Sequence, residues 1–266
     1  MRNKVFGYIL TIAVAVPAIG AAFAATVPED GSRACLAIII DDFGYNGEGT
    51  EEMLKLDIPL TAAIMPFSDK TEENCRKVME ADKEAIIHLP MESSTGKKSW
   101  VGSKGIFMDM TDSEINQTVN DAFDAVYTAV GVNNHMGSAI MEDEKKLDVI
   151  MRAMSEKDMI FVDSLTTANS KGKISAEKYG VDYLKRTVFI DSPGNVDVVV
   201  NQLKKAAKTA KETGYAIAIG HVGPAGGKTT AEAIKAARED IEKMGVEFVT
   251  VSQLNEIVNG KDEENS

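Results

Sequence analysis

Cysteine, histidine and tryptophan are scarce in this chain of 266 residues, and acidic residues outnumber basic ones. The chain contains two cysteines, three histidines and one tryptophan, with 29 Lys and Arg against 41 Asp and Glu, for a net charge of −12. Two cysteines are too few for a disulfide scaffold, and no Cys-His arrangement points to a catalytic thiol. Cys35 and Cys75 are therefore expected either to pair with each other or to stay as buried thiols. The acidic excess argues against nucleic acid and anionic lipid as partners.

The first residues have the pattern of an export signal. Arg2 and Lys4 precede an apolar stretch over residues 5–25, and Ala-Phe-Ala at 22–24 matches the small-x-small pattern of a cleavage site. We therefore predict a signal peptide over residues 1–24 and an exported protein, periplasmic or extracellular. Its removal takes two positive charges and changes the net charge from −12 to −14. The alternative is an uncleaved membrane anchor, since about 20 apolar residues span a bilayer; membrane contact is expected only in that case.

Beyond this segment, apolar runs of strand length alternate with helical patterns, and no linker divides the chain. Most of the runs are continuously apolar, as in a parallel sheet covered on both faces. This predicts a single α/β domain over residues 25–260, followed by a polar tail over 261–266. An open doubly wound sheet and a closed (β/α) barrel both fit, and the barrel is favoured because polar residues follow many strands rather than one switch point. The predicted strands are 36–40, 59–65, 84–89, 131–137, 159–164, 181–191, 215–220 and 246–251.

All three histidines lie where an apolar run ends, and carboxylates occupy equivalent positions. Because the carboxyl ends of parallel strands meet at one face, these side chains are expected to converge there. The adjacent carboxylates Asp41 and Asp42 are costly to bury in ionised form without a cation, which favours one of them as a metal ligand. Alternatively, one caps the next helix and the other is solvated. The residues that follow the strands are Asp41, Asp42, His88, Glu92, Asn133, Asn134, His135, Asp163 and His221.

Two other enzyme classes are excluded by motif. The stretch "GPAGGKTT" over 223–230 resembles a phosphate-binding loop, but Val222 stands where the first glycine is required. No nucleotide partner is therefore expected, and we interpret this stretch as a glycine-rich lip whose amides could hold an anionic product. No Gly-x-Ser-x-Gly elbow occurs, so a serine esterase is unsupported. Trp100, in the long 90–110 loop, is expected either to anchor the loop by packing or to stack on a sugar ring.

Five motifs, in this order, resemble the divergent polysaccharide deacetylase family of bacterial exported proteins. They are the Asp-Asp-Phe-Gly turn after the first strand, "HLPME", "VNNHMGS", "FVDSLTT" and "AIAIGH", and the resemblance covers residues 36–251. It implies an irregular (β/α) barrel of seven to eight strands. It also implies a divalent metal, usually zinc, held by one Asp and two His, and N-acetylated sugars of chitin-like or cell-wall polymers as substrates.

The resemblance also implies a role for each of the site residues. Asp41 resembles the catalytic base, Asp42 the metal-binding carboxylate, His88 the first histidine ligand and His221 the general acid. Typical polysaccharide deacetylases carry the second histidine ligand four residues after the first, where this chain has Glu92. His135 is then the expected replacement, with Glu92 as the alternative ligand. The arginine-bearing motif that typical members carry after strand four is also absent, and "NNHMGS" stands in its place.

These roles predict a metal-dependent deacetylase of N-acetylated polysaccharide or oligosaccharide. Asp163 is expected to hold His221 protonated, and Glu92, Asn134 and Asp163 are predicted to position substrate or support the ligands. A non-catalytic cell-envelope protein that binds glycan or a protein partner on the same barrel is the alternative. A metal phosphoesterase is disfavoured by the single metal set and by the acidity of the chain.

Overall fold

The computed structural model describes residues 34–102 and 104–260. The predicted signal peptide over 1–24 and the polar tail over 261–266 lie outside the described residues. In the described part, the strands are β1 (Ala34–Phe43), β2 (Thr61–Ile64), β3 (Glu84–Met91), β4 (Ala129–Met136), β5 (Ile160–Asp163), β6 (Tyr183–Lys185), β7 (Val188–Phe189), β8 (Tyr215–His221) and β9 (Val246–Val249). The helices are α1 (Thr50–Leu54), α2 (Thr71–Glu80), α3 (Lys98–Val101), α4 (Asp112–Ala125), α5 (Ser138–Met141), α6 (Glu144–Ser155), α7 (Gly172–Tyr179), α8 (Val196–Thr213), α9 (Gly227–Lys243) and α10 (Val251–Val258).

Parallel strands form one curled sheet, so the α/β prediction and the irregular barrel are confirmed. The strand order is β6-β5-β4-β3-β2-β1-β8-β7, and β9 pairs with the beginning of β1. The predicted strand over 181–191 is in fact two short strands, β6 and β7, which pair with β5 and β8 respectively. Within the described sheet β6 and β7 do not pair, so the closed barrel of seven to eight strands favoured from the sequence is found as an open half-barrel of nine strands.

Side chains of β1 alternate between two apolar layers, which explains why its sequence is apolar throughout. Leu36, Ile38 and Ile40 pack outward against the helices. Cys35, Ala37 and Ile39 point into the barrel, where Leu254 of α10 contributes to the same inner cluster. Burying both faces of a strand in this way is typical of parallel sheets with helical crossovers.

The two cysteines lie in different layers. Cys35 belongs to the inner cluster and Cys75 of α2 to the outer one, and the two are not joined by a disulfide. The structure therefore supports the second expectation, that the two cysteines are buried thiols. Within the described ranges, no helix is both long enough and apolar enough to cross a membrane.

Candidate metal centre and active site

A bulge at the end of β1 presents two adjacent carboxylates to the same site. In the register between β1 and β2, Ile40 pairs with Ala62 and Phe43 with Ile64, so β1 carries one extra residue. Asp42 has a φ of 67°, in the left-handed region that costs most residues about 1–2 kcal/mol. A regular strand would turn Asp41 and Asp42 to opposite faces. The bulge and the left-handed Asp42 bring both carboxylates to the carboxyl end of the barrel.

Asp42, His88 and His135 form a triangle of donor atoms. Asp42 Oδ1 lies 3.5 Å from His88 Nε2 and 3.4 Å from His135 Nδ1, and the two nitrogens are 3.0 Å apart. Donor atoms that bind one tetrahedral zinc at about 2.0–2.1 Å are separated by about 3.4 Å. These three residues therefore fit a single divalent ion, and they come from β1, β3 and β4 as the sequence predicted. A carboxylate with two imidazoles is also a donor set that suits zinc.

Asn133 connects the candidate ligands to Asp41. Its Nδ2 donates to Asp41 Oδ1 over 2.8 Å, and its Oδ1 lies 2.7 Å from His88 Nδ1. Because the amide oxygen can only accept, neutral His88 must carry its proton on Nδ1, which leaves the Nε2 lone pair directed at Asp42 and His135 for metal binding. Asn133 thus orients a metal ligand and holds Asp41 with the same side chain. It is fully buried, like Asp41 and His88.

The charges of the site favour a bound cation. Burial alone would raise the pKa of the Asp42 carboxyl, but His135 and His88 hold that pKa well below its ordinary value. Burial alone would lower the pKa of His88, and the Asp41 and Asp42 carboxylates instead raise it. In the absence of a metal, a proton on His88 supplies positive charge that the carboxylates attract. A divalent ion would supply the same charge with better geometry.

His221 lies on the other side of Asp41 and is held by Asp191. Its Nδ1 is 2.6 Å from Asp191 Oδ2, its backbone N–H donates to Asp191 Oδ1 over 2.9 Å, and its Nε2 is 3.8 Å from Asp41 Oδ2. Burial alone would lower the pKa of His221, but the hydrogen bond with Asp191 and the charge of Asp41 raise it to about 9. Nε2 is therefore a protonated donor that faces Asp41.

The sequence prediction that Asp163 holds His221 is wrong. Asp163 lies two residues after Phe161 on β5, so its side chain points outward from the barrel as that of Phe161 does. Its carboxylate accepts hydrogen bonds from Ser170 Oγ over 2.6 Å and from Tyr183 Oη over 3.1 Å. It is fully buried beneath the loop after β5 and stabilises that loop. Asp191, which was not among the predicted site residues, follows β7, the neighbour of β8 in the sheet.

Glu92 and Asn134 support loops around the site. Among the described residues, neither side chain forms a hydrogen bond to any of the three candidate ligands. Glu92 Oε2 accepts from the backbone N–H of Met108 over 2.8 Å and lies 3.5 Å from Lys98 Nζ. Its carboxylate thus anchors the loop that follows β3, and the candidate metal cluster does not include it. Asn134 Oδ1 accepts from the backbone N–H of Ser164 over 2.9 Å, which joins the ends of β4 and β5.

The glycine-rich lip over 223–230 has a packing role. The backbone N–H of Gly223 donates to Glu48 O over 2.8 Å, and that of Gly226 donates to Gly223 O over 3.1 Å. A Cβ on Gly227 would lie 2.1 Å from Glu48 O, so only glycine fits where the lip meets the loop after β1. The expectation that these amides hold an anionic product is not met at Gly223 and Gly226, because their amides are already bonded.

Comparison with known proteins identifies the family of this chain. Residues 38–255 match the model of a family described as divergent polysaccharide deacetylase. The chain belongs to this family. The uncharacterized protein YibQ of Escherichia coli K12 is 33% identical over 190 residues, which cover 71% of this chain and 59% of YibQ. The chain therefore aligns with less than two thirds of that relative's length.

Solved structures share the fold of this chain. An uncharacterized protein of Agrobacterium tumefaciens C58 aligns with a TM-score of 0.76 at 18% identity, over 86% of this chain and 92% of its own. The Bc1960 peptidoglycan N-acetylglucosamine deacetylase, solved in complex with a substituted N-oxidanyl-benzamide, aligns with a TM-score of 0.53 at 12% identity, over 83% of this chain and 87% of its own. At these identities the likeness establishes the curled parallel-strand barrel alone.

Proposed function

We propose that this protein is an exported metal-dependent hydrolase that removes acetyl groups from N-acetylated sugars of a cell-envelope polysaccharide. The observation that carries the proposal is the triangle of Asp42, His88 and His135, with sides of 3.0–3.5 Å, flanked by a carboxylate and an imidazole on strands β1 and β8. The family's description supports a carbohydrate substrate. Export rests on the segment over residues 1–24.

Asp42, His88 and His135 would hold the divalent ion, with zinc expected from the donor set. When bound, such an ion polarises a carbonyl oxygen and lowers the pKa of water to about 7. Asp41 is placed to accept the proton of the attacking water, because Asn133 occupies only its Oδ1 and leaves Oδ2 toward the site. A general base requires this geometry before any tuning of its pKa.

His221 is placed to protonate the leaving nitrogen. Asp191 binds Nδ1, so that Nε2 carries the transferable proton and faces Asp41 across 3.8 Å. Water adds to the acetamide carbon, the C–N bond breaks, the nitrogen takes the proton from Nε2, and acetate and a free amino sugar leave. Base and acid on two sides of one carbonyl are the arrangement that amide hydrolysis needs.

The test combines metal content with acetate release. Protein isolated without added metal should contain about one equivalent of zinc by mass spectrometry and should release acetate from N-acetylglucosamine oligomers. Asp41→Asn should keep the metal and lose at least about 100-fold in turnover, whereas His135→Ala should lose the metal. A metal-loaded protein that releases no acetate from any acetylated glycan would instead support the non-catalytic binding protein, and an Asp41→Asn variant of full activity would exclude Asp41 as the base.

A further inference from the structure

We infer that the entrance of the site binds a glycan in which the acetylated sugar lies next to a carboxylate-bearing sugar, and this inference rests on the proposed function. The proposed elements are an aromatic surface made by Trp100 and Tyr45 and the ammonium group of Lys97. Neither the family's description nor the proposed reaction assigns these residues.

The pocket beside the candidate metal ligands is small and has aromatic walls. Its volume is about 200 Å³, and its lining includes Asp42, His135, Tyr45 and Trp100. Pockets for whole drug-sized ligands are typically about 300–1,000 Å³. This pocket therefore suits one sugar unit at the reacting centre, and the rest of a polymer must lie across the surrounding surface.

Trp100 and Tyr45 offer that surface. They are 61% and 59% exposed, although large aromatic side chains lose favourable burial when left in solvent. Of the two roles considered for Trp100, packing anchor and stacking surface, this exposure supports stacking. Sugars can stack their apolar C–H faces on such rings, and an indole offers a large flat apolar surface for this contact.

Lys97 adds a positive charge at the same place. Residues 93–105 contain three lysines and no acidic residue, in a chain whose net charge is −12. Lys98 lies 3.5 Å from Glu92 and 3.6 Å from Asp109, and Lys104 lies 2.7 Å from Asp121, so these two ammonium groups are paired with carboxylates.

For Lys97, the described residues supply no carboxylate within salt-bridge distance, and Nζ lies 5.8 Å from the centroid of the Trp100 ring. Its charge is left for a ligand. A sugar stacked on the indole would bring a neighbouring carboxylate within reach of this ammonium group. An acidic protein otherwise repels polyanions, so a local cation beside the stacking ring favours this class of glycan over a neutral one.

The single tryptophan of the chain makes the test direct, because fluorescence excited selectively at the indole reports Trp100 alone. Binding of a hyaluronan hexasaccharide, which alternates N-acetylglucosamine with glucuronate, would be compared with binding of a neutral N-acetylglucosamine hexamer. At low ionic strength the anionic ligand should bind about fivefold more tightly, and the difference should shrink at about 0.5 M salt. Lys97→Gln should remove this preference and change binding of the neutral hexamer less than about twofold.

Lys205→Gln, which removes the same charge from an exposed position on α8, is the matched control and should leave the preference unchanged. By calorimetry, Trp100→Leu should weaken both ligands about fivefold or more. Equal binding of the two hexasaccharides, or a preference that survives Lys97→Gln, would overturn the inference even if acetate release is normal. A preference that depends on Lys97 in a protein that releases no acetate would support the subsite and leave the proposed catalysis without support.

Discussion

Replacing Asn133 by leucine should weaken metal binding by more than its effect on stability alone explains. The substitution keeps the volume of a fully buried side chain but removes hydrogen bonds of 2.8 Å to Asp41 and 2.7 Å to His88. Hydrogen bonds to charged groups contribute about 1.5–3 kcal/mol each, so loss of both should lower the free energy of unfolding by about 3–6 kcal/mol. His88 also loses the group that fixes its proton on Nδ1. Loss of such a support typically weakens metal affinity by about 10–100-fold.

The assay is a competition titration of zinc against a chromophoric chelator, with urea unfolding of the same samples. Asn134→Leu is the matched control, because Asn134 is equally buried but bonds Ser164 N and Met136 O instead of the candidate ligands. It should lose comparable stability while its zinc affinity stays within about threefold of wild type. A folded Asn133→Leu variant with unchanged zinc affinity would refute the reasoning, as would an equal loss of affinity in both variants.

Three further predictions use other contacts. Asp191→Asn should move the alkaline limb of the kcat/KM profile down from about 9 toward neutral pH, because the raised pKa of His221 depends on that carboxylate. The stability that protonated His221 contributes is complete below its ordinary pKa of 6.5 and is lost as pH rises through about 9. Asp191→Asn should therefore also lose part of its stability at neutral pH. If the alkaline limb of the kcat/KM profile does not move, His221 is excluded as the acid. Glu92→Gln should raise KM with little change in kcat or zinc content, because the Glu92 carboxylate holds the entrance loop. Loss of zinc in this variant would instead identify Glu92 as a metal ligand. Gly227→Ala should destabilise the protein by about 2–4 kcal/mol in urea unfolding because its Cβ meets Glu48 O at 2.1 Å, whereas Gly260→Ala, with open space around it, should not.

The strands that build the barrel were predictable because they appear in the sequence as short, continuously apolar runs, without alternation of apolar and polar residues. The same runs located His88, His135 and His221, since each lies where such a run ends. Even β4, whose sequence "AVGVNNHM" is polar in its second half, was required by the repeating pattern and is present as Ala129–Met136.

The partner of His221 could not be chosen from sequence in the same way. Asp163 and Asp191 both follow short apolar runs, "IFVD" and "VFID", so local pattern does not distinguish them. The choice depends on strand order and parity: β7 pairs with β8, with Phe189 opposite Ile219, which places Asp191 level with His221. Asp163 ends β5, which pairs with β4 and β6, and its side chain points outward.

The bulge that aims Asp42 was also beyond the sequence. In a regular extended strand, alternation would point Asp41 and Asp42 to opposite faces. One extra residue in the register against β2 and a left-handed Asp42 bring them to a common site. Such local departures from regular geometry depend on the neighbouring strand and are concentrated at functional sites.

The charge of the assembled site gives a further reason to expect a divalent ion. Asp41, Asp42 and Asp191 contribute three negative charges, protonated His221 contributes one positive charge, and His88 and His135 are neutral when they act as ligands. The net charge of about −2 lies in a largely buried cluster, where uncompensated charge is costly, and one divalent cation neutralises it.

Removal of that ion should therefore cost stability as well as activity. A ligand that binds only the folded state raises the free energy of unfolding by about 4 kcal/mol when present at about 1,000 times its dissociation constant. Treatment with a chelator should lower the midpoint of thermal unfolding by several degrees, and one equivalent of zinc should restore it. The Asp42→Asn variant, which removes one charge and one ligand, should show a smaller response to both treatments. A midpoint that chelation leaves unchanged in the wild-type protein would mean that the cluster balances its charge with protons alone, and that the triangle of donors holds no ion.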